Sequence, residues 1–107
     1  MTPEQRLEAF QKLAAARPSD PFAGYSLAMQ LRAMGRHDEA AGAFRALAGR
    51  SPDYLPTWLM LGQVLEQLGQ VKEAARAYRE GIGAATRQSN QHARGELEEA
   101  LGRLSNE

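Results

Sequence analysis

Displaced by 34 residues, the sequence falls back onto itself at spaced positions. Phe10, Phe44 and Tyr78 align, as do Leu13 with Leu47 and Pro18 with Pro52. Leu27 pairs with Leu61, Leu31 with Leu65, and Gly35 with Gly69. Glu39, Ala40, Ala41 and Arg45 meet Glu73, Ala74, Ala75 and Arg79. Most of the matched residues are small, apolar or turn-forming, the kinds that packing dictates. A period of this length marks an array of helix pairs, in which each pair buries its apolar face only against its neighbours.

Helix boundaries follow from caps and breakers. Thr2-Pro3-Glu4-Gln5 predicts an N-cap, a proline in the first turn and a capping-box Gln. The spacing of Leu7, Phe10, Leu13 and Ala14 predicts a helix over 3–16. Pro18, Asp20 and Pro21 break it, and a second helix is predicted over 21–34, ending at Gly35. Asp38 is expected to cap a third over 38–49, closed by Gly49 and Pro52. A fourth is predicted over 55–68 before Gly69, a fifth over 71–86, and a sixth over 90–104 capped by Ser89 or Asn90. The short connections call for antiparallel neighbours.

Composition narrows the possibilities. Val64, Val71 and Ile82 are the only Val and Ile residues, which argues against a sheet. Lys plus Arg and Asp plus Glu both number 13, so there is no basic excess of the kind a nucleic-acid binder shows. No cysteine is present, which removes disulfides, thiolate metal sites and a cysteine nucleophile. No apolar run approaches the roughly 18 residues of a membrane span. Residues 1–10 hold no apolar core of a signal peptide, so a cytoplasmic setting is expected.

Residues 55–86 carry Trp58-x2-Leu61-Gly62-x2-Leu65 and then Ala74-x3-Tyr78. This resembles the tetratricopeptide repeat pattern, W-x2-L-G-x2-Y followed by A-x3-F and a proline, with Leu65 in place of the tyrosine. Residues 21–54 match it more loosely: Gly24, Ala28 and Leu31 stand at the Trp, Gly and Tyr positions, while Ala40-x3-Phe44 and Pro52 fit. Residues 1–20 resemble a second helix on its own, through Phe10 and Pro18. The resemblance implies an all-α fold, a right-handed α–α superhelix of antiparallel helix pairs with about six helices. One domain over 1–107 is expected: a half-repeat at 1–20, repeats at 21–54 and 55–88, and a capping helix at 89–107. At a strict 34-residue spacing the last helix would place Gly and Glu in the core, so the 82–91 link is expected to be about three residues longer than its counterpart. Gly81, Gly83, Gly95 and Gly102 should make the C-terminal third the least stable part. The chain is also similar to short stand-alone tetratricopeptide proteins of bacteria.

In that family the first helix of each pair lines a concave groove. The resemblance therefore assigns a peptide-binding groove to Phe22, Tyr25, Met29 and Arg32 from one pair and Leu59, Gln63 and Glu66 from the next. Phe22, Tyr25 and Met29 share a helix face by spacing. The Lys and Asn clamp by which chaperone-tail adaptors hold a terminal carboxylate is not matched, since Tyr25, Met29, Leu59 and Gln63 stand on the comparable faces. The implied function is a non-enzymatic adaptor or scaffold for a protein or peptide partner, with no nucleic acid or membrane partner. The alternative is a homodimer formed through the open face of helix 3–16.

No catalytic, cofactor-binding or metal-binding residue is predicted. His37 and His92 are read as solvated turn or helix-start residues. Glu96, Glu98 and Glu99 read as a wet helix face. The glycines form no phosphate loop.

Overall fold

The structure, a computed structural model, describes residues 1–105; residues 106 and 107, the end of the expected capping segment, lie outside the described residues. Six α-helices follow in order: α1 (Pro3–Ala16), α2 (Pro21–Ala33), α3 (His37–Arg50), α4 (Pro56–Gln67), α5 (Val71–Arg87) and α6 (Gln91–Ser105). No strand occurs among the described residues. Consecutive helices pack on one another from α1 to α6, giving an all-α helical repeat. No described helix is long and apolar enough to cross a membrane.

The ends of the helices show why they stop where they do. Thr2 accepts from the Gln5 N–H at 3.1 Å and the Gln5 side chain accepts from the Thr2 N–H at 2.9 Å, the reciprocal capping box expected at α1. Gly35 and Gly69 end α2 and α4 at φ 74° and 76°, a conformation open to glycine at no steric cost. At α3 the expected cap is corrected. Asp38 lies inside the first turn, and Arg36 is the N-cap, its side chain making no capping bond to the backbone. Gly49 does not end that helix either, because α3 runs on to Arg50. At α6 the choice falls on Asn90, whose side chain accepts from the Ala93 N–H at 3.0 Å.

The expected long link before α6 is also corrected. The extra length lies in the helix: α5 has 17 residues against 14 in α3, and residues 88–90 alone join α5 to α6. Pro52 lies just past the end of α3, whereas its counterpart 34 residues on is Thr86. Thr86 leaves the ladder intact and bonds back to the Ile82 carbonyl at 2.7 Å, so α5 continues where proline would have ended it. Ser89, at φ 55°, then makes the left-handed turn that glycine makes after α2 and α4.

The core runs through the array along Leu31, Phe44, Leu61, Val64, Leu65, Tyr78, Ala84 and Leu97, all buried. Small residues set the approach of the helices. Ala28, Ala40 and Ala74 are fully buried. A Cβ on Gly62 would lie 2.1 Å from the Tyr78 ring, so only glycine allows α4 and α5 to meet at that distance.

The two repeats solve one packing position in opposite ways. In the first, Gly24 sits against Leu47, 3.3 Å from where its own Cβ would be. In the second, 34 residues on, the residues are Trp58 and Gly81. A Cβ on Gly81 would meet Trp58 at 2.6 Å and Leu97 at 2.9 Å. The large and small partners have exchanged helices, which conserves the filled volume. Gly81 is therefore a packing requirement and not the weak point that its helix position suggests. Gly42, Gly95 and Gly102 are different, since a Cβ on any of them meets nothing within 4 Å. Gly42→Ala and Gly95→Ala should each stabilise the protein by up to about 1 kcal/mol, read as a raised midpoint in urea. In α6 only Leu97 and Ala100 are buried, against five residues in α4. That is the physical basis for expecting faster amide exchange in α6 than in α4.

Candidate functional site: an apolar groove along the first helices of the pairs

Helices α2, α4 and α6 present three adjoining depressions along one side of the array. The first, about 310 Å³, is lined by Arg6 and Phe10 of α1 and by Phe22, Tyr25 and Met29 of α2. The second, about 240 Å³, lies between Tyr25, Leu59 and Met60 on one side and Ala93, Glu96 and Leu97 on the other. The third, about 410 Å³, is polar and is formed by Arg32, Gln63, Glu66, Gln67 and Arg103. Tyr25 walls both apolar depressions. Arg32 links the second to the third, donating to the Met60 sulfur and to the Gln63 side-chain oxygen, each at 2.9 Å.

Every residue assigned to the groove from the sequence borders one of these depressions. Phe22 is 61% exposed. Met29, Leu59 and Gln63 are half-buried, so they are not core in the sense that Phe44 or Leu65 is. Tyr25 has two roles. Its ring meets Phe44 edge-on at 6.1 Å and Tyr54 at 5.7 Å, and burial followed by the nearby Tyr54 pushes its hydroxyl above the ordinary phenol range. It joins the groove to the core and is a poor residue for a clean binding test.

Glu66 is held from below. The buried Tyr78 hydroxyl donates to its carboxylate. Burial first, then this bond and the carboxylate charge, raise the Tyr78 hydroxyl far above its usual range. It stays protonated and donating at neutral pH.

Sequence reasoning missed the α6 wall, which supplies Ala93, Glu96, Leu97 and Arg103, and it missed Met60. Treating 89–107 only as a cap hid the fact that α6 is also the next first helix. In its burial pattern Leu97, Ala100 and Leu101 stand where Leu61, Val64 and Leu65 stand in α4, displaced by 36 residues rather than 34.

The histidines stay outside the groove. His37 opens α3 with its Nδ1 buried and without a hydrogen-bond partner. His92 lies 3.4 Å from the Glu96 carboxylate, a closer acidic neighbour than its place in the sequence suggested. Glu98 and Glu99 pair with Arg94 and Arg103 along the exposed face of α6. Among the described residues no group of three or more His, Asp or Glu is placed to hold a metal ion.

Comparison with known proteins agrees with this architecture. A family model described as tetratricopeptide repeat matches residues 25–90. A stretch of 53 residues, 50% of the chain, is 47% identical to CycH of Rhizobium meliloti, a cytochrome c-type biogenesis protein, and spans 14% of that protein's length. A tetratricopeptide repeat domain protein from Salinibacter ruber superposes with a TM-score of 0.76 at 30% identity, over 81% of this chain and 97% of that one. The type III secretion translocator chaperone SycD of Yersinia enterocolitica gives 0.85 at 17% identity, over 96% and 72%. PcrH, solved in complex with the chaperone binding region of PopD, gives 0.88 at 14% identity, over 97% and 79%. The last two likenesses concern the fold alone. The repeat pattern, the helix pairs and the matched span agree, and the chain belongs to the tetratricopeptide repeat family.

Proposed function

We propose that the chain is a non-enzymatic protein-interaction module that holds a peptide or helix of a partner protein in the groove of α2, α4 and α6. The observation that carries this reading is the exposure of Phe22 beside half-buried Tyr25, Met29, Leu59 and Met60 around two open apolar depressions. Apolar surface gathered in a cleft, with a polar region at one end, is what helix-in-groove and peptide-binding sites offer. PcrH, of similar fold, was solved with the chaperone binding region of PopD, and this lends the reading support by analogy of fold. A cytoplasmic setting belongs to the same proposal.

The test compares proteins captured by the wild-type chain, Phe22→Ala and Leu59→Arg, identified by mass spectrometry. Phe22 is largely exposed, so its removal should leave stability within about 0.5 kcal/mol. A partner held in the groove should be retained by wild type and weakened at least about tenfold by each variant, the size expected when a contact at the centre of an interface is lost. Capture unchanged by both variants, with helical circular dichroism intact, would exclude the groove.

Self-association through the open face of α1 has less support. Arg6 stands where the array elsewhere has Ala40 and Ala74, both fully buried. A second copy packing there would have to strip water from a guanidinium.

A further inference from the structure

The polar depression at the lower end of the groove has a charge pattern of its own. Arg32 of α2 and Arg103 of α6 face it from opposite sides, with Gln63, Glu66 and Gln67 of α4 between them. Both guanidiniums lie close enough to the Tyr78 hydroxyl to act on its ionisation. Among the described residues Glu66 is the only acid lining the depression; its carboxylate accepts from Tyr78, and against two arginines it leaves an excess of one positive charge. Arg32 gives its hydrogen bonds to a neutral amide and a thioether. Among the described residues Arg103 pairs with one carboxylate, Glu99, at 4.0 Å on the exposed helix face.

A bland account would spend these arginines on the negative ends of the helix dipoles. That account is incomplete for α2 and α4. The Arg32, Leu31 and Gln30 carbonyls are already taken by the N–H groups of Gly35, Arg36 and Met34, and the Glu66, Leu65 and Val64 carbonyls by Gly69, Gln70 and Leu68. An arginine has five donors in a planar fork suited to a carboxylate; among the described residues Arg32 donates to Met60 and Gln63 alone, and Arg103 meets Glu99 alone.

We infer that the groove selects a partner segment with large apolar side chains and an aspartate or glutamate side chain placed to reach Arg32 and Arg103. This rests on the groove reading and specifies its ligand. The apolar residues fill the depressions at Tyr25 and Leu59, and the carboxylate enters the polar one. The spacing is set by the groove. Tyr25 to Arg32 and Leu59 to Glu66 are each seven residues of helix, about 10 Å. The acid therefore lies about three residues from the nearest apolar anchor in an extended segment and about seven in a helical one. Glu96, on the rim of the apolar depression, disfavours a second acid at the upper end, so the segment enters with its acidic end toward Arg32.

The experiment is selection from a random peptide library with the full chain as bait. The enriched peptides are then synthesised with both ends blocked, so that only side chains carry charge. Wild type should enrich large apolar residues together with Asp or Glu at one of the two spacings. Replacing that acid by its amide should weaken binding about tenfold, the scale of a charge-assisted pair, and the difference should shrink as salt is raised. Arg32→Gln with Arg103→Gln should abolish the acid preference and keep the apolar one. Arg103→Gln alone, at an exposed position, should reduce it without any effect on folding. Enrichment of apolar residues without an acid, or an acid preference that survives the double variant, overturns this inference and leaves the groove standing. Failure to enrich any peptide overturns the groove reading itself.

Discussion

Gly62→Ala should be the most damaging single-methyl addition in the molecule, lowering the melting temperature by about 10 °C or more. Alanine in the middle of a helix gains about 1 kcal/mol over glycine by propensity. The same methyl would sit 2.1, 2.5 and 2.6 Å from three ring carbons of Tyr78. That ring is fully buried and its hydroxyl is tied to Glu66, so it has nowhere to swing. Relief requires α4 and α5 to move apart, and overpacking of that kind costs about 3 kcal/mol, which outweighs the propensity gain. Tyr78→Ala alone should cost about 3–5 kcal/mol through the cavity it leaves. The double variant offers the sharper measurement, since the added methyl then occupies part of that cavity. Its cost should fall below the sum of the two single costs by about 1–3 kcal/mol. Strict additivity in urea denaturation would show that the helices do not meet at Gly62 as described.

Phe44→Ala is the second large effect expected. Phe44 is fully buried in the core, and truncating such a ring costs about 3–5 kcal/mol. Total stabilities run only to about 5–15 kcal/mol, so the variant should be close to unfolding at 37 °C. The effect reaches the groove through the edge-on contact of Phe44 with Tyr25. A Tyr25 ring without that support is free to turn into the depression it walls. Where the variant is still folded at low temperature, it should bind groove ligands more weakly than wild type although Phe44 lines none of the depressions. Phe22→Ala, on the same groove, should show the reverse: weaker binding with unchanged stability. Equal melting temperatures for Phe44→Ala and Phe22→Ala would contradict this separation of roles.

Much of this was legible in the sequence because packing in a repeat array is local and periodic. The 34-residue match identified Phe44, Tyr78, Ala40 and Ala74, and all four are fully buried. What resisted reading were the places where one repeat compensates another. Gly24 looked like a departure from the family pattern and Gly81 like a flaw in a helix, yet each makes room for a large residue on the facing helix. The exchange shows only when both helices of a pair are compared together. The length of α5 was misplaced for a different reason. Its register shift was visible, but whether added residues extend a helix or a loop depends on the breaker, and Thr86 is not one. In the groove, the residues of α2 and α4 followed from the repeat, whereas those of α6 did not, because its altered phase hid the equivalence with α4.

The placement of α6 has a consequence for how the groove is made. Ala93 and Leu97 form one wall of the central depression, and α6 is anchored by few buried side chains. The depression thus exists only while the terminal helix is docked. Undocking would leave Tyr25 and Leu59 facing solvent on a flat surface. Any molecule that fills this space touches both sides and holds α6 in place by mass action. Occupancy and the closing of the array's last joint are then a single equilibrium, so slowed amide exchange in residues 93–104 would report a bound ligand at a distance from the side chains that select it.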